Sequence, residues 1–212
     1  MTTLLDQIAA FKSCTVLVVG DFMLDEFIYG DAERLSPDAP VPVLLSERTE
    51  RSAGGSANVA TCLQGLGAAV ACCGVVGSDA EGRWLIESLA GSGADVDGLV
   101  VDESRPTTVK RSLVGLAQHR HPQKMFRIDV ESSDPLTDVI RDRLLETVRD
   151  RIAAGVDVVC LEDYGKCVCS TELCRAVIDI AIAAGTPVLV DPARGVEWGR
   201  YKGATAMTPN RT

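Results

Sequence analysis

Aromatic side chains are scarce in this chain, at 4% of 212 residues. A core built from it must therefore rest on Val, Leu, Ile and Ala. No stretch approaches the ~18 uninterrupted apolar residues that a bilayer-spanning helix requires. Residues Met1 to Phe11 read as a short amphipathic helix carrying Asp6, without the basic start and apolar centre of a secretory leader. A cytosolic protein is expected. Positive charge is also in deficit: 21 Lys and Arg stand against 30 Asp and Glu, a net charge of −9. Such a surface repels phosphate backbones and anionic lipid, which argues against a nucleic-acid or membrane partner. Two nucleotide-binding signatures are missing. No G-x-G-x-x-G follows the first strand-like run, and no Walker A loop occurs. Histidines number two, His119 and His121, and they flank Arg120 in a polar turn far from any cysteine.

What the chain does have in number is cysteine, eight residues at 14, 62, 72, 73, 160, 167, 169 and 174. Adjacent Cys72 and Cys73 lie in an apolar run, where consecutive strand side chains point to opposite faces. Cys167-x-Cys169-x4-Cys174 lacks the C-x2-C pair of a zinc site and has no histidine nearby. Reduced, mostly buried thiols are expected, with no metal.

Strand-like and helix-like segments alternate along the chain. Thr15 to Val19 is a short β-branched run closed by Gly20-Asp21, as in a buried parallel strand. A helix is predicted over 55–66, a strand over Val70 to Val76 and a helix over Ala80 to Ala90. A long amphipathic helix over 136–153 follows the start signal Asp134-Pro135 and ends before Gly155. Further strands are predicted at Val156 to Leu161, Pro187 to Val190 and Ala204 to Met207, with a helix over 171–184. This spacing implies a doubly wound α/β sheet. Two stretches break the rhythm, about 22–50 and 105–129. They hold short strand-like runs at Phe27 to Tyr29, Val41 to Ser46, Thr107 to Val114 and Lys124 to Ile128, which predict a small separate sheet acting as a lid.

Open α/β sheets bind ligands at the carboxyl ends of their strands. Asp21, Asp25, Asp163 and Asp191 each fall at or just after a predicted strand end. One such aspartate is readily explained as a cap, but four in succession point to a polar cleft able to hold sugar hydroxyls. Gly54-Gly55-Ser56-Ala57-Asn58 opens a helix, where bare backbone lets a ligand approach the free N–H groups. Between Ser104 and Asp129 the chain carries Arg105, Lys110, Arg111, Arg120, Lys124 and Arg127 and no acid. This cluster reads equally as a clamp for a sugar phosphate or as a charged strand edge that resists aggregation.

Together these residues resemble the ribokinase (PfkB) carbohydrate kinases, and within them the heptose-7-phosphate kinases of lipopolysaccharide-precursor synthesis. The resemblance rests on Gly20-Asp21-Phe22-Met23-Leu24-Asp25, Ser36-Pro37-Asp38-Ala39-Pro40-Val41-Pro42-Val43 and Gly54-Gly55-x-Ala57-Asn58-Val59-Ala60 with Leu66-Gly67. It continues through Arg127-x-Asp129, Asp163-Tyr164-x-Lys166, Asp191-Pro192 and Arg200-Tyr201-x-Gly203-Ala204 to Thr208-Pro209-Asn210. It implies a ribokinase-like fold, with residues 1–212 as the N-terminal portion of the kinase domain and a β lid that often forms a dimer interface. It implies phosphoryl transfer from ATP, with Mg²⁺, to a hydroxyl of a sugar phosphate. Asp21, Asp25, Gly54, Gly55, Asn58, Arg127 and Asp163 are then expected to bind substrate, and Lys166, Asp191, Arg194 and Asn210 the nucleotide.

The sequence departs from the family pattern at three places. Cys167 stands where the family has Gly, which Cys replaces poorly at special dihedrals. Ala193-Arg194 follows Asp191-Pro192 where relatives often have Lys. The Glu of the family's Asn-x-x-Glu and the Gly-Ala-Gly-Asp motif with its catalytic aspartate do not occur among these 212 residues. No catalytic residue is therefore assigned within the chain, and the base that the resemblance implies is expected beyond Thr212. Turnover by this chain alone is not expected. A non-catalytic binder of sugar phosphate or of a partner, or an unproductive fragment that aggregates, are the alternatives.

Overall fold

A computed structural model describes residues 13–116 and 121–211. The expected N-terminal helix, the turn at His119 and Arg120, and Thr212 lie outside the described residues.

Two sheets organise the rest. The first has six parallel strands in the order β10-β9-β8-β1-β4-β5: β1 (Thr15–Gly20), β4 (Ala69–Gly77), β5 (Asp95–Asp102), β8 (Val158–Glu162), β9 (Val188–Asp191) and β10 (Ala206–Met207). The central strand β1 is Val- and Leu-rich because both its faces are covered. Val16 and Val18 pack with α1 (Ser56–Gly65) and α2 (Ala80–Gly91); Leu17 and Val19 pack with α3 (Asp138–Ala153) and α4 (Thr171–Ala183). The expected doubly wound sheet is present. No helix among the described residues is long and apolar enough to cross a membrane.

Side chains cap three of the four described α-helices, and α3 begins at Asp138, two residues later than Asp134-Pro135 predicts. Asp79 accepts from Gly82 N at 2.8 Å to cap α2, Thr137 from Ile140 N at 3.4 Å to cap α3, and Ser170 from Leu173 N at 3.1 Å to cap α4. Only α1, among these four, has no side-chain cap.

The second sheet is built from the two stretches expected to form a lid, and is called the lid below for its place in the chain, in the order β3-β2-β6-β7: β2 (Phe22–Leu35), β3 (Pro42–Gly55), β6 (Thr108–Leu116) and β7 (Gln123–Val130). It is mixed, since β2 runs parallel to β6 while β2–β3 and β6–β7 are antiparallel. Its first two strands are far longer than the short runs the sequence pattern picks out, because their polar, exposed ends carry no apolar alternation. Strand β5 was not expected at all. Asp95, Asp97 and Gly98 break the apolar run, yet Leu99 and Val100 are buried beside β4.

Candidate functional site

Asp21 sits between β1 and β2 and is 1% exposed. Its Oδ2 accepts from the backbone N–H of Tyr164 at 2.8 Å and of Lys166 at 3.2 Å, and its Oδ1 from Val168 at 3.2 Å. Burial pushes its pKa up to about 6, against those N–H donors, which favour the carboxylate, and with Asp163 pushing the same way as burial. The residue anchors the 163–168 loop and offers no surface to a sugar. Asp163 is likewise consumed within the protein, accepting from Tyr201 Oη at 2.6 Å, Arg200 Nη1 at 3.1 Å and Gly165 N at 2.9 Å. In this structure both carboxylates are buried and hydrogen-bonded within the protein, Asp21 to the backbone of the 163–168 loop and Asp163 to Tyr201, Arg200 and Gly165.

Asp25 is different. It is half-buried on β2, at the start of the second sheet. Alternation along β2 puts Asp25, Phe27 and Tyr29 on one face and Glu26 and Ile28 on the other. Cross-strand register brings Lys110 opposite Asp25. Burial raises the Asp25 pKa, while Lys110, Lys124 and Arg127 oppose the rise and Asp129 adds to it. Lys110 Nζ lies 5.9 Å from the centre of the Tyr164 ring and Lys124 Nζ 5.0 Å from that of Phe27. Arg127 is exposed and donates twice to Asp129, at 2.7 and 2.8 Å.

Gly54 and Gly55 form the floor next to this carboxylate. A Cβ at Gly54 would stand 2.9 Å from Asp25 Cγ. Gly55 adopts φ +53°, and a Cβ there would meet the Asp21 carbonyl oxygen at 2.6 Å. Its positive-φ turn starts α1, where Ser56 N–H donates to the Asp21 carbonyl oxygen at 3.0 Å and no side chain caps the N–H groups that follow. Asn58 is exposed in the same first turn. The structure thus brings Asp25, Gly54, Gly55 and Asn58 together at the root of the lid, with Arg127 further out on β7.

The basic cluster divides into two groups. Arg105 donates to Asp102 at 3.0 Å and to the carbonyl oxygens of Asp134 and Pro135, so it ties a loop. Arg111 and Arg51 clasp the buried Glu26 on the opposite lid face, and Arg111 also pairs with Glu81 of α2 at 3.6 Å. Only Lys110, Lys124 and Arg127, among the described residues of the cluster, face Asp25. Which cations share a face was not visible without the strand register.

A second recess, of about 320 Å³, opens at the ends of β8 and β9. Asp191, Arg194 and Asn210 line it with Tyr164 and Gly165. Lys166 is not among them: its Nζ is paired with Glu131, just beyond β7, and it borders Phe22, Thr108 and Ser132. The structure thus places Asp191, Arg194 and Asn210 together and Lys166 apart from them, on the loop anchored by Asp21. Sequence reasoning missed Glu162. It is buried and stands in register with Asp191. Burial first and the Asp191 charge second push its pKa up to about 7, against a hydrogen bond from Tyr164 Oη at 3.5 Å. The Glu162-Asp163 pair at the strand end was its only signal.

Cys167 has φ +70°. The backbone keeps the left-handed turn that the family's glycine suits, with Sγ donating to Ser133 O at 3.2 Å. All eight cysteines are free thiols and five are buried. Cys169, Cys174 and Asp163 gather within 4.8 Å, but Arg200 and Tyr201 already occupy Asp163. A hydrogen bond with Cys174, then burial, holds the Cys169 thiol well above its ordinary pKa.

The pfkB family carbohydrate kinase model matches residues 15–212. Among curated relatives, the bifunctional protein HldE of Bradyrhizobium diazoefficiens is 43% identical over 197 residues, which are 93% of this chain and 39% of that protein. HldE of Helicobacter pylori is 42% identical over 93% of this chain and 41% of its own length. The chain thus spans about two-fifths of the curated relatives it matches. Arabidopsis thaliana ribokinase, solved with ribose and ATP, superposes with a TM-score of 0.63 at 20% identity, over 93% of this chain and 60% of that one. A possible 1-phosphofructokinase of Thermotoga maritima gives 0.65 at 19% identity, over 92% and 60%.

Proposed function

The chain belongs to the pfkB family of carbohydrate kinases, and from that premise we propose that it forms the acceptor-sugar site, the lid and part of the nucleotide recess of an ATP-dependent sugar-phosphate kinase, of heptose-7-phosphate type and cytoplasmic. One observation carries the reading. Asp25, a carboxylate able to grip two neighbouring hydroxyls, lies between the bare backbone of Gly54 and the cations of Lys110, Lys124 and Arg127. A neutral sugar needs the first two features; the cations suit a sugar that also carries phosphate.

Asp25 and the N–H groups of α1 orient the acceptor hydroxyl, and lid cations neutralise the substituent. The residues of the second recess fit a nucleotide polyphosphate with its divalent cation. Arg194 supplies positive charge, Asn210 an amide, and Asp191 an oxygen ligand whose raised pKa reflects burial and the Asp163 charge, countered by Tyr164. Bound there, ATP supplies the transferable phosphoryl group. Positioning and charge neutralisation account for most of such a transfer. The catalytic aspartate of the family motif is not among these 212 residues, so the chain alone is expected to bind and not to turn over.

The lid also exposes Leu35, Leu45 and Phe126 at 58–67%, which supports pairing of two lids in a homodimer. Calorimetric titration of a heptose 7-phosphate without ATP tests the main reading. Saturable binding that Asp25→Asn abolishes supports it. Binding unaffected by that change defeats it.

A further inference from the structure

Two cations near the lid are held by carboxylates at or just beyond the end of β7. Arg127 is bound by Asp129, and Lys166 by Glu131 two residues further on. Asp129, Asp25 and Glu131 all lie near enough to stabilise the Arg127 charge. Lys166 is only 19% exposed as a side chain, its backbone N–H is fixed on Asp21, and its loop places Tyr164 beneath Lys110. Its ammonium is thus held beside Glu131, near the lid residues Phe22 and Thr108, and outside the recess lined by Asp191, Arg194 and Asn210.

We propose that Lys166 selects the anionic substituent of the acceptor sugar, and that Glu131 is the resting counter-ion it exchanges for that anion. The proposal rests on the reading of the Asp25 cleft as an acceptor site and deepens it. A lysine is a compact point charge with rotatable donors, so it changes partners without rebuilding its surroundings. Glu131 is partly exposed and belongs to the segment that leads out of the lid, so closure of the lid onto a ligand moves it relative to the anchored Lys166. A sugar without an anionic group leaves the Lys166–Glu131 pair intact and gains nothing from it.

The test is direct binding, without turnover, of three probes: a heptose 7-phosphate, the unphosphorylated heptose, and a non-hydrolysable ATP analogue. Lys166→Met is expected to weaken the sugar phosphate about tenfold, the worth of one charge-assisted contact. It should leave the other two probes unchanged, and Lys166→Arg should restore most of the loss. Glu131→Gln should tighten the sugar phosphate severalfold at low salt, with the gain fading as salt screens the site. Weakening of the ATP analogue instead of the sugar phosphate by Lys166→Met overturns the proposal, as does equal weakening of phosphorylated and unphosphorylated heptose. If the unsubstituted protein binds neither sugar, the acceptor reading itself fails, and that outcome is recognised before any variant is made.

Discussion

A side chain at residue 54 displaces the Asp25 carboxylate, whose Cγ stands 2.9 Å from where its Cβ would go. The contact lies within one antiparallel ladder, in which Leu24 pairs with Ala53 and Asp25 with Ser52. Gly54→Ala must therefore push the carboxylate aside. The expected result is at least a tenfold loss of sugar affinity with a melting temperature within a few degrees of the parent, because Gly54 is not in a left-handed turn. Titration calorimetry beside a thermal melt checks both halves.

Asp21→Asn should be costly to the fold itself. An amide keeps one acceptor oxygen and turns an NH₂ group toward backbone N–H donors, leaving buried groups unpaired. A loss of about 2–4 kcal/mol is expected in denaturant unfolding. Stability within about 0.5 kcal/mol of the parent would show that the 163–168 loop is held by other means.

The pH dependence of stability should carry a mark of Glu162. Its pKa rises from 4.5 to about 7 on folding, so the folded protein holds the proton more tightly than the unfolded chain. The sign follows from linkage: stability falls as pH climbs from about 4.5 to 7 and the penalty persists above that window. Glu162→Gln removes the penalty. Its melting temperature relative to the parent should improve between about pH 4.5 and pH 8, by an amount equivalent to about 1–3 kcal/mol. A difference independent of pH would refute the assignment.

At Cys167 the order of stability should be Gly at least equal to Cys, and Cys well above Val. The left-handed backbone costs a non-glycine residue about 1 kcal/mol and a β-branched one more, while glycine returns about 0.4–1 kcal/mol through the unfolded chain. Urea midpoints of the three proteins decide it.

Much of this architecture could be read from residue patterns. Buried strands such as β1 are uniform apolar runs, and caps such as Ser170 and Asp79 announce their helices. Strand β5 escaped because its first half is polar where it lies at the sheet edge, and a Gly occupies the position closest to the Cys72 carbonyl oxygen. Local sequence picks out Gly54, Gly55 and Asp25, and the structure brings them together at the root of the second sheet. Lys110 facing Asp25, Glu162 beside Asp191, and Lys166 turning to Glu131 all depend on register between strands or on a loop fixed by Asp21. Those are properties of pairing, which no single segment contains.

Strand β2 leaves the core sheet at Phe22 and runs unbroken in its backbone to Leu35, and its partner β3 returns to the same point, Phe22 opposite Gly55. The sheet is in that respect a cantilever, clamped at one end beside Asp25, Gly54 and Gly55. At about 3.3 Å per residue its arm is roughly 45 Å long, so a tilt of about 10° at the root sweeps the tip through about 8 Å. Stiffness at Gly54 and Gly55 then governs reach at Leu35, and a small ligand pressing on the root has a long lever with which to report its arrival.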